Sequence, residues 1–484
     1  MTTASPREQV TNTSINAERR HFHLPPGPAG FPVVGNIPQF RRNPLTFLEG
    51  VQRAYGAVAT IYFLRHPAVV AFRPEHAYDI LVERARAVAI GDRPGLRERL
   101  GASLLTTDGA THRRQRRLVQ PAFHRKRVEG YAAIMTRATS EMVSRWQVGD
   151  ELDIAAALRE VTLRIIIQAL FDLDLAEEGS RLSHLFGEAV EQHRTGFGSV
   201  LPLALMNRID ALNARARALP LWPGRDPAHE QPLRTPAEEL DAFVYRLIAE
   251  RRADGTDHGD VLSMLLDARD EAGQPLSDVE VRDQAMTLIV AGHETTFTAL
   301  SWALDLLSRH PQAYMRLSGE IRAVLDGELP RAADLPRLEY LDAVILESLR
   351  LRPPAWIIDR VTLAPFDLAG YHLPAGTPLL VSPWLLHHSP ELWGDADAFR
   401  PERWLDGSAR SLPRGSYLPF GLGPRMCIGM PLADMEMRLV LATVLQRFMP
   451  MVVPGFRPIP RPRVTLRLAN GLRVRLDVVA SADH

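Results

Sequence analysis

Phe420-Gly421-Leu422-Gly423-Pro424-Arg425-Met426-Cys427-Ile428-Gly429 decides how this chain folds. Cys427 is the only cysteine among 484 residues, so it has no partner for an internal disulfide. Gly421 and Gly423 allow positive φ or a close backbone approach to a flat partner, and Pro424 stiffens the turn that follows. Beyond the cysteine, Leu432, Met435, Leu439, Val440, Val444 and Leu445 recur at helical core spacing across Met430 to Phe448. Cys427 is therefore expected at a helix N-terminus, where backbone N–H groups and the helix dipole favour a thiolate. A thiolate held in a tight glycine loop is what an axial haem-iron ligand requires. The bland alternative is a small buried hydrophobe, the usual fate of a lone cysteine.

The stretch fills every fixed position of Phe-Gly-x-Gly-x-Arg-x-Cys-x-Gly. Through it the chain resembles the cytochrome P450 family of haem-thiolate monooxygenases. The resemblance implies haem b, an iron protoporphyrin, with Cys427 as its metal ligand and Phe420, Gly421, Arg425 and Gly429 beside it. It also implies a mainly α fold with small β-sheets. The haem would lie between a long helix, Ser277–His310, and the helix after Cys427.

Other motifs extend the resemblance. His112 and Arg116 are four residues apart and share one helical face. The family holds haem propionates at this spacing, and an arginine grips a carboxylate in a bidentate way. Without the cysteine loop, a solvated basic helix would be the better account of these residues. Arg360 matches a further propionate-binding arginine. Ser277-Asp-Val-Glu280 is a capping box that opens the long helix. Within it lies Ala291-Gly-His-Glu-Thr-Thr296, where Gly292 costs roughly 1 kcal/mol against alanine in mid-helix. A threonine there can bond a carbonyl one turn back. By resemblance Ala291 and Gly292 border the haem, and Glu294 with Thr295 form the catalytic acid–threonine pair that supplies protons during oxygen activation. Glu347 and Arg350, at i, i+3, share a helix face, and Phe399-Arg-Pro-Glu-Arg403 follows. Together Glu347, Arg350 and Arg403 resemble the family's structural charge network. Val290, Ala291, Ala355, Trp356, Ile357 and Ile358 are apolar pocket candidates, ordinary core being the alternative for about half of them.

Composition narrows the class. Lys plus Arg and Asp plus Glu both number 57, so net charge is zero and no nucleic-acid partner is indicated. One cysteine excludes an all-cysteine iron–sulfur cluster, which needs about four thiolates. The first twenty residues are polar, with no signal peptide or membrane anchor in view. A cytoplasmic protein is expected.

Along the chain, residues 1–21 read as a disordered tail, 22–478 as one domain and 479–484 as a second tail. A helix is expected from Pro44 to Tyr55, then strands Val58–Phe63 and Ala68–Phe72 around an Arg65-His66-Pro67 turn. A helix follows over Pro74–Arg84, then an irregular loop over Gly91–Thr107, and helices over Glu129–Trp146, Ile154–Phe171 and Gly179–His193. Residues 195–235 are proline-broken, a pocket lid by resemblance or a surface insertion on bland grounds. Helices resume over Pro236–Arg252 and Val261–Ala268. Asn470-Gly471 predicts a terminal hairpin between Val464–Leu468 and Leu472–Leu476, its tip near the pocket.

The expected reaction inserts one atom of O₂ into a lipophilic small molecule. With no Gly-x-Gly-x-x-Gly loop after a strand, electrons are expected from a separate donor of ferredoxin or flavodoxin type with its reductase. Arg113, Arg114, Arg117, Arg125 and Lys126 form a candidate docking face, or else a solvated basic one. Three alternatives are a peroxide-driven haem peroxygenase, a haem isomerase or dehydratase, and a non-catalytic haem sensor. The Glu294–Thr295 pair argues against the first two. The third lacks an evident signalling domain.

Overall fold

The computed structural model describes residues 22–91, 94–173 and 236–478. The tails, the Gly179–His193 helix and the 195–235 segment lie outside the described residues.

The fold is built around the helix Asp278–Arg309. Ser277 accepts from Glu280 N, and the Glu280 side chain accepts from Ser277 N, completing the capping box. The helix runs unbroken until His310, before Pro311. From Val281 to Ser308 every residue is buried except Val290, Ala291, Gly292 and Thr295. A helix buried on nearly all sides belongs inside a large core, although it carries Arg282, Asp283, His293, Glu294 and Asp305 among its buried residues. Helix Ile154–Phe171 crosses it at Gly292, where a Cβ would come within 2.9 Å of Ile166 Cδ1. The mid-helix glycine thus has a packing cause.

Helices Ala132–Val143, Glu339–Leu351 and Met430–Arg447 pack into the same core. The expected Glu129–Trp146 helix breaks at Tyr131 into Arg125–Gly130 and Ala132–Val143. The region expected to be irregular contains a helix, Pro94–Leu100.

The β structure is small. Strands β1 (Val58–Phe63), β2 (His66–Ala71), β3 (Val88–Ala89), β5 (Ile358–Thr362) and β8 (Pro378–Val381) form one sheet in the order β1-β2-β8-β5-β3. Only β2 and β8 run parallel. The β1–β2 turn is Leu64-Arg65, one residue earlier than expected, because Phe63 pairs with His66. A two-residue loop with Leu64 at φ 54° closes the hairpin. Strands β6 (Phe366–Leu368) and β7 (Tyr371–Leu373) form a second hairpin.

The terminal hairpin is not the expected one. Strand β11 (Leu466–Leu468) pairs back with β10 (Pro460–Pro462). Strand β12 (Arg473–Val478) lies between β4 (Glu151–Asp153) and β9 (Phe448–Val452). Asn470-Gly471 therefore joins two sheets. Asn470 accepts from Ile459 N and donates to Arg457 O, so its side chain ties the loop backward rather than closing a β-turn.

Helix Pro74–Tyr78 ends in a wider turn, with Arg84 N bonded to Asp79 O, i to i+5. That turn presents Leu81 O to Gly423, where a Cβ would collide with it.

Candidate active site

Glu347 anchors the loop side of the site. It is fully buried, and Arg350 binds both its oxygens, Nε to Oε2 at 2.9 Å and Nη2 to Oε1 at 2.8 Å. Arg403 Nε reaches Oε1 at 3.0 Å, Arg400 N the same oxygen at 3.0 Å, and Trp404 Nε1 reaches Oε2 at 2.9 Å. Arg350 also donates to His387 O, Ala396 O and Ala398 O, and Arg403 to Trp393 O and Asp395 O. Such a buried charge group is tolerable only when its donors and acceptors are this fully paired. The i, i+3 spacing and the second arginine are visible in the sequence. Trp404 and His387 were missed, because no local pattern marks a side chain that bonds across dozens of residues.

The cysteine loop is shaped by its glycines. Gly421 and Gly423 take φ of 71° and 70°. Cys427 N bonds to Phe420 O at 2.9 Å, and Met426 N to Gly423 O at 3.0 Å. Helix Met430–Arg447 starts three residues past the cysteine, with Gly429 as its N-cap. The N–H groups of Gly429 and Met430 point at the sulfur. The expected lowering of the thiol pKa is not found. Burial pushes the Cys427 thiol up, and the Gly429 N–H, the Arg116 charge and the Met430 N–H offset this only in part. Yet the Cys427 surface is exposed.

The long helix contributes a short accessible strip. Its only accessible positions between Val281 and Ser308 are Val290, Ala291, Gly292 and Thr295. Thr295 Oγ1 donates to Ala291 O and Thr296 Oγ1 to Gly292 O, both at 2.8 Å, the bond back by one turn that threonine was expected to make. Glu294 is bonded to the C-terminal segment. It is buried, its Oε1 accepts from Thr465 Oγ1 at 2.7 Å and Arg467 Nε at 2.5 Å, and its Oε2 pairs with Arg467 Nη2. Burial would raise its pKa, but the Arg467 and Thr465 contacts outweigh burial and lower it. The acid is thus paired with the C-terminal hairpin, while the Thr295 hydroxyl is bonded to its own helix. Successive helix residues point about 100° apart, so the two side chains leave the helix in different directions.

A basic cluster closes one edge. His112 is buried, and burial together with Arg425, Arg116, Arg360 and Arg113 holds its pKa down at about 4. Arg116 donates to Met426 O at 2.8 Å, and Arg425 binds Asp108 and Thr107 O, so the two arginines staple helix Gly109–Val119 to the cysteine loop. Arg360, on β5, donates to Asp359 O at 2.7 Å. On the outer side, Arg114 pairs with Asp270 and Glu280, and Arg117 with Glu271. The candidate docking face is correspondingly narrower than the run of arginines suggested.

Of the apolar candidates, Ala355, Ile357 and Ile358 keep partial exposure. Ile358 Cδ1 lies 3.8 Å from where a Cβ on Gly421 would stand, beside the cysteine loop. Trp356 is corrected to core. It is fully buried against Phe40, and its Nε1 donates to Arg463 O at 2.8 Å.

An accessible sulfur, an apolar helix strip and a cluster of three arginines with a histidine suit a flat, mostly apolar group bearing carboxylates and an iron. Haem has that chemistry, and the residues present fit it.

Comparison with known proteins agrees. The cytochrome P450 family model matches residues 25–469. Cyclooctatin synthase of Streptomyces melanosporofaciens is 38% identical over 94% of this chain and 96% of the relative. Cyclooctat-9-en-7-ol 5-monooxygenase of the same organism is 36% identical over 88% and 90%. Pentalenene oxygenase of Streptomyces avermitilis is 36% identical over 93% and 96%. The family's cofactor is a cysteine-ligated haem b, and this chain has one cysteine to offer it. No helix among the described residues is long and apolar enough to cross a membrane. By its family model and by relatives matched over nearly their whole length, the chain belongs to the cytochrome P450 family of monooxygenases.

Proposed function

We propose that this monooxygenase oxidises a cyclic terpenoid, an alkene or alcohol of the kind named in its relatives, cyclooctat-9-en-7-ol or pentalenene. What supports this reading is a set of partly exposed apolar side chains: Val290 and Ala291 on the long helix, with Ala355, Ile357 and Ile358 from the segment entering β5, the last of them beside the cysteine loop. Such side chains give a hydrocarbon skeleton burial worth about 25 cal/mol per Å² and offer few polar anchors.

A thiolate-bound haem supplies dioxygen activation, the electron-rich sulfur favouring O–O cleavage. The protein's share is placement. The Phe420–Gly429 loop would hold Cys427 as the ligand, with N–H groups of Gly429 and Met430 on its sulfur. His112, Arg116, Arg360 and Arg425 would receive the propionates. Thr295 presents a hydroxyl on the accessible face of the helix. Its proton is directed to Ala291 O, so the oxygen is left as an acceptor.

Electrons come from a separate donor of ferredoxin or flavodoxin type with its reductase. The chain's one cysteine excludes an all-cysteine iron–sulfur centre of its own.

The test is turnover of a panel of cyclic terpenoid alkenes and alcohols with NADPH, a ferredoxin and its reductase under ¹⁸O₂. A product carrying one ¹⁸O atom is expected, and none without the donor. Equal product from peroxide alone would replace this reading with a peroxygenase.

A further inference from the structure

Thr287 and Gln284 stand one and two turns ahead of Ala291 on the long helix. At about 100° per residue, Gln284 shares a face with Ala291 and Thr295, and Thr287 projects between Val290 and Ala291. Both residues therefore lie within the arc marked out by the accessible strip. Both are buried, yet Gln284 Nε2 and Thr287 Oγ1 have no hydrogen-bond partner among the described residues.

Other hydroxyls of the helix are satisfied locally. Thr295, Thr296 and Ser301 each donate to the carbonyl one turn back. Thr287 does not, although Asp283 O stands at the same spacing. Thr298 Oγ1 is also unpartnered, but it lies beyond Thr295, toward the turn where Trp302 meets Leu466. The amide of Gln284 has a defined orientation. Its Oε1 accepts from Leu104 N at 3.3 Å, and a backbone N–H only donates, so the unpartnered end is the amide N–H₂. Leu104 O in turn accepts from Arg425 Nη1 at 3.4 Å, and Ala102 N donates to Asp283 Oδ2 at 2.7 Å. This turn of the helix is thereby joined to the cysteine loop.

Buried polar groups without partners are costly to keep, and each calls for a cause. These two are complementary to one ligand group. Residues at i, i+3 are neighbours on a helix surface. The amide is a donor, and the hydroxyl is a donor or an acceptor. A threonine in a helix has two χ1 rotamers open to it, so the Thr287 hydroxyl can turn toward the accessible strip without backbone movement.

We propose, building on the terpenoid reading above, that Thr287 and Gln284 are specificity-determining residues that bind a hydroxyl already present on the substrate. The Gln284 amide donates to the hydroxyl oxygen, and Thr287 Oγ1 accepts the hydroxyl proton. The substrate is then an alcohol rather than a bare alkene. An earlier step must supply that oxygen: a terpene cyclisation whose carbocation is captured by water, or a first hydroxylation.

The experiment uses the haem-loaded protein and two matched probe pairs, cedrol with α-cedrene and 1-adamantanol with adamantane. Binding is read from the haem absorbance change and by calorimetry, for the wild type, Thr287→Val, Thr287→Ser and Gln284→Leu. Loss of one buried hydrogen bond should weaken each alcohol about tenfold in Thr287→Val and leave its hydrocarbon within about twofold. Thr287→Ser should restore alcohol binding. Gln284→Leu also removes the partner of Leu104 N, so it is judged only by the difference between alcohol and hydrocarbon, which should shift as in Thr287→Val.

Equal losses for both members of a pair in Thr287→Val overturn the proposal, because Thr287 is then structural. No loss in either member overturns it too, because water or protein then satisfies the hydroxyl. If Thr287→Val does not retain haem, Thr287→Ala against Thr287→Ser makes the same comparison. A wild type that binds none of the four probes overturns the inference together with the terpenoid reading. Wild-type binding without an alcohol-specific loss in the variants overturns the inference alone.

Discussion

His387 Nε2 accepts a hydrogen bond from Leu418 N at 3.0 Å, while Nδ1 meets Arg350 O at 3.1 Å. A carbonyl can only accept, so the ring is the neutral Nδ1–H tautomer. Burial, with His388 and Arg350 nearby, holds its pKa well below the ordinary value, in keeping with that tautomer. Gly421 N in turn bonds to Leu418 O at 3.1 Å. The charge network thereby reaches the cysteine loop through one imidazole.

Replacing His387 by alanine should therefore orphan Arg350 O and Leu418 N inside the core. Each buried unpaired group costs roughly 1–3 kcal/mol. The expected outcome is a lowered unfolding temperature and weakened haem retention, measured by calorimetry and by the absorbance ratio of haem to protein. An unchanged midpoint and full haem content would show that the loop is held without this link.

The three loop glycines should differ in their tolerance of alanine. At Gly423 a Cβ would meet the Leu81 carbonyl at a φ of 70°, so both space and conformation oppose it. At Gly421 only the φ of 71° is adverse, the nearest atom being Ile358 Cδ1 at 3.8 Å. At Gly429, with φ −84°, a Cβ finds Phe123 Cε1 at 3.8 Å and the Cys427 sulfur at 3.9 Å, ordinary contacts. Folded yield should fall in the order Gly429→Ala, Gly421→Ala, Gly423→Ala. Gly423→Ala expressing as well as wild type would contradict the close approach.

Glu347→Ala should be the most damaging single change in the network. It strands Arg350 and Arg403, whose side chains are 0% and 4% exposed, without their shared anion. Leaving such a charge unpaired costs about 3–5 kcal/mol. Circular dichroism and haem absorbance should report poorly folded, haem-free protein. A stable, haem-loaded Glu347→Ala variant would mean the backbone carbonyls alone suffice.

Much of the fold was legible because it is written locally. The Ser277–Glu280 capping box, the i, i+3 pair Glu347–Arg350 and the glycine spacing before Cys427 all act within a few residues, and each appears as expected. What was not legible joins distant parts. Glu294 and Arg467 lie 173 positions apart, and nothing local announces the partner that the acid meets across that distance. Asn470-Gly471 failed for the same reason: its turn chemistry is real, but β12 finds better partners in β4 and β9. Gly292 was visible, but its cause was not, since Ile166 sits on another helix.

His112 makes acid stability depend on haem. Its folded pKa of about 4 lies below the ordinary 6.5. A depressed pKa stabilises the fold above the unfolded value, and that stability is lost as pH falls through 6.5 toward 4. The loss is of order 3 kcal/mol in the haem-free protein. Propionates beside the same arginines would offset the charges that depress His112, so the haem-loaded protein should lose less over this window. Unfolding temperatures of both forms from pH 7 to 4 provide the check. His112→Gln should remove most of the difference. Parallel curves for the two forms, with or without His112, would separate His112 from the propionates.

The donor's docking face can be located by charge reversal. Arg114 is committed to Asp270 and Glu280, and Arg117 to Glu271, so part of the basic run on helix Gly109–Val119 is already neutralised. Arg113, Lys126 and Arg127 are exposed. An acidic donor steered to them should transfer its first electron more slowly as salt shortens the Debye length below about 10 Å. Reversing Arg113 and Lys126 to glutamate should cut the rate at low salt and flatten its salt dependence. Reversing Arg117 should matter less, because its charge is already shared with Glu271. Stopped-flow reduction with a ferredoxin-type donor at rising ionic strength distinguishes the two. If Arg117→Glu proves the more harmful, the donor displaces the Arg117–Glu271 pair on docking. If neither variant departs from wild type at any salt concentration, the electron enters from another face.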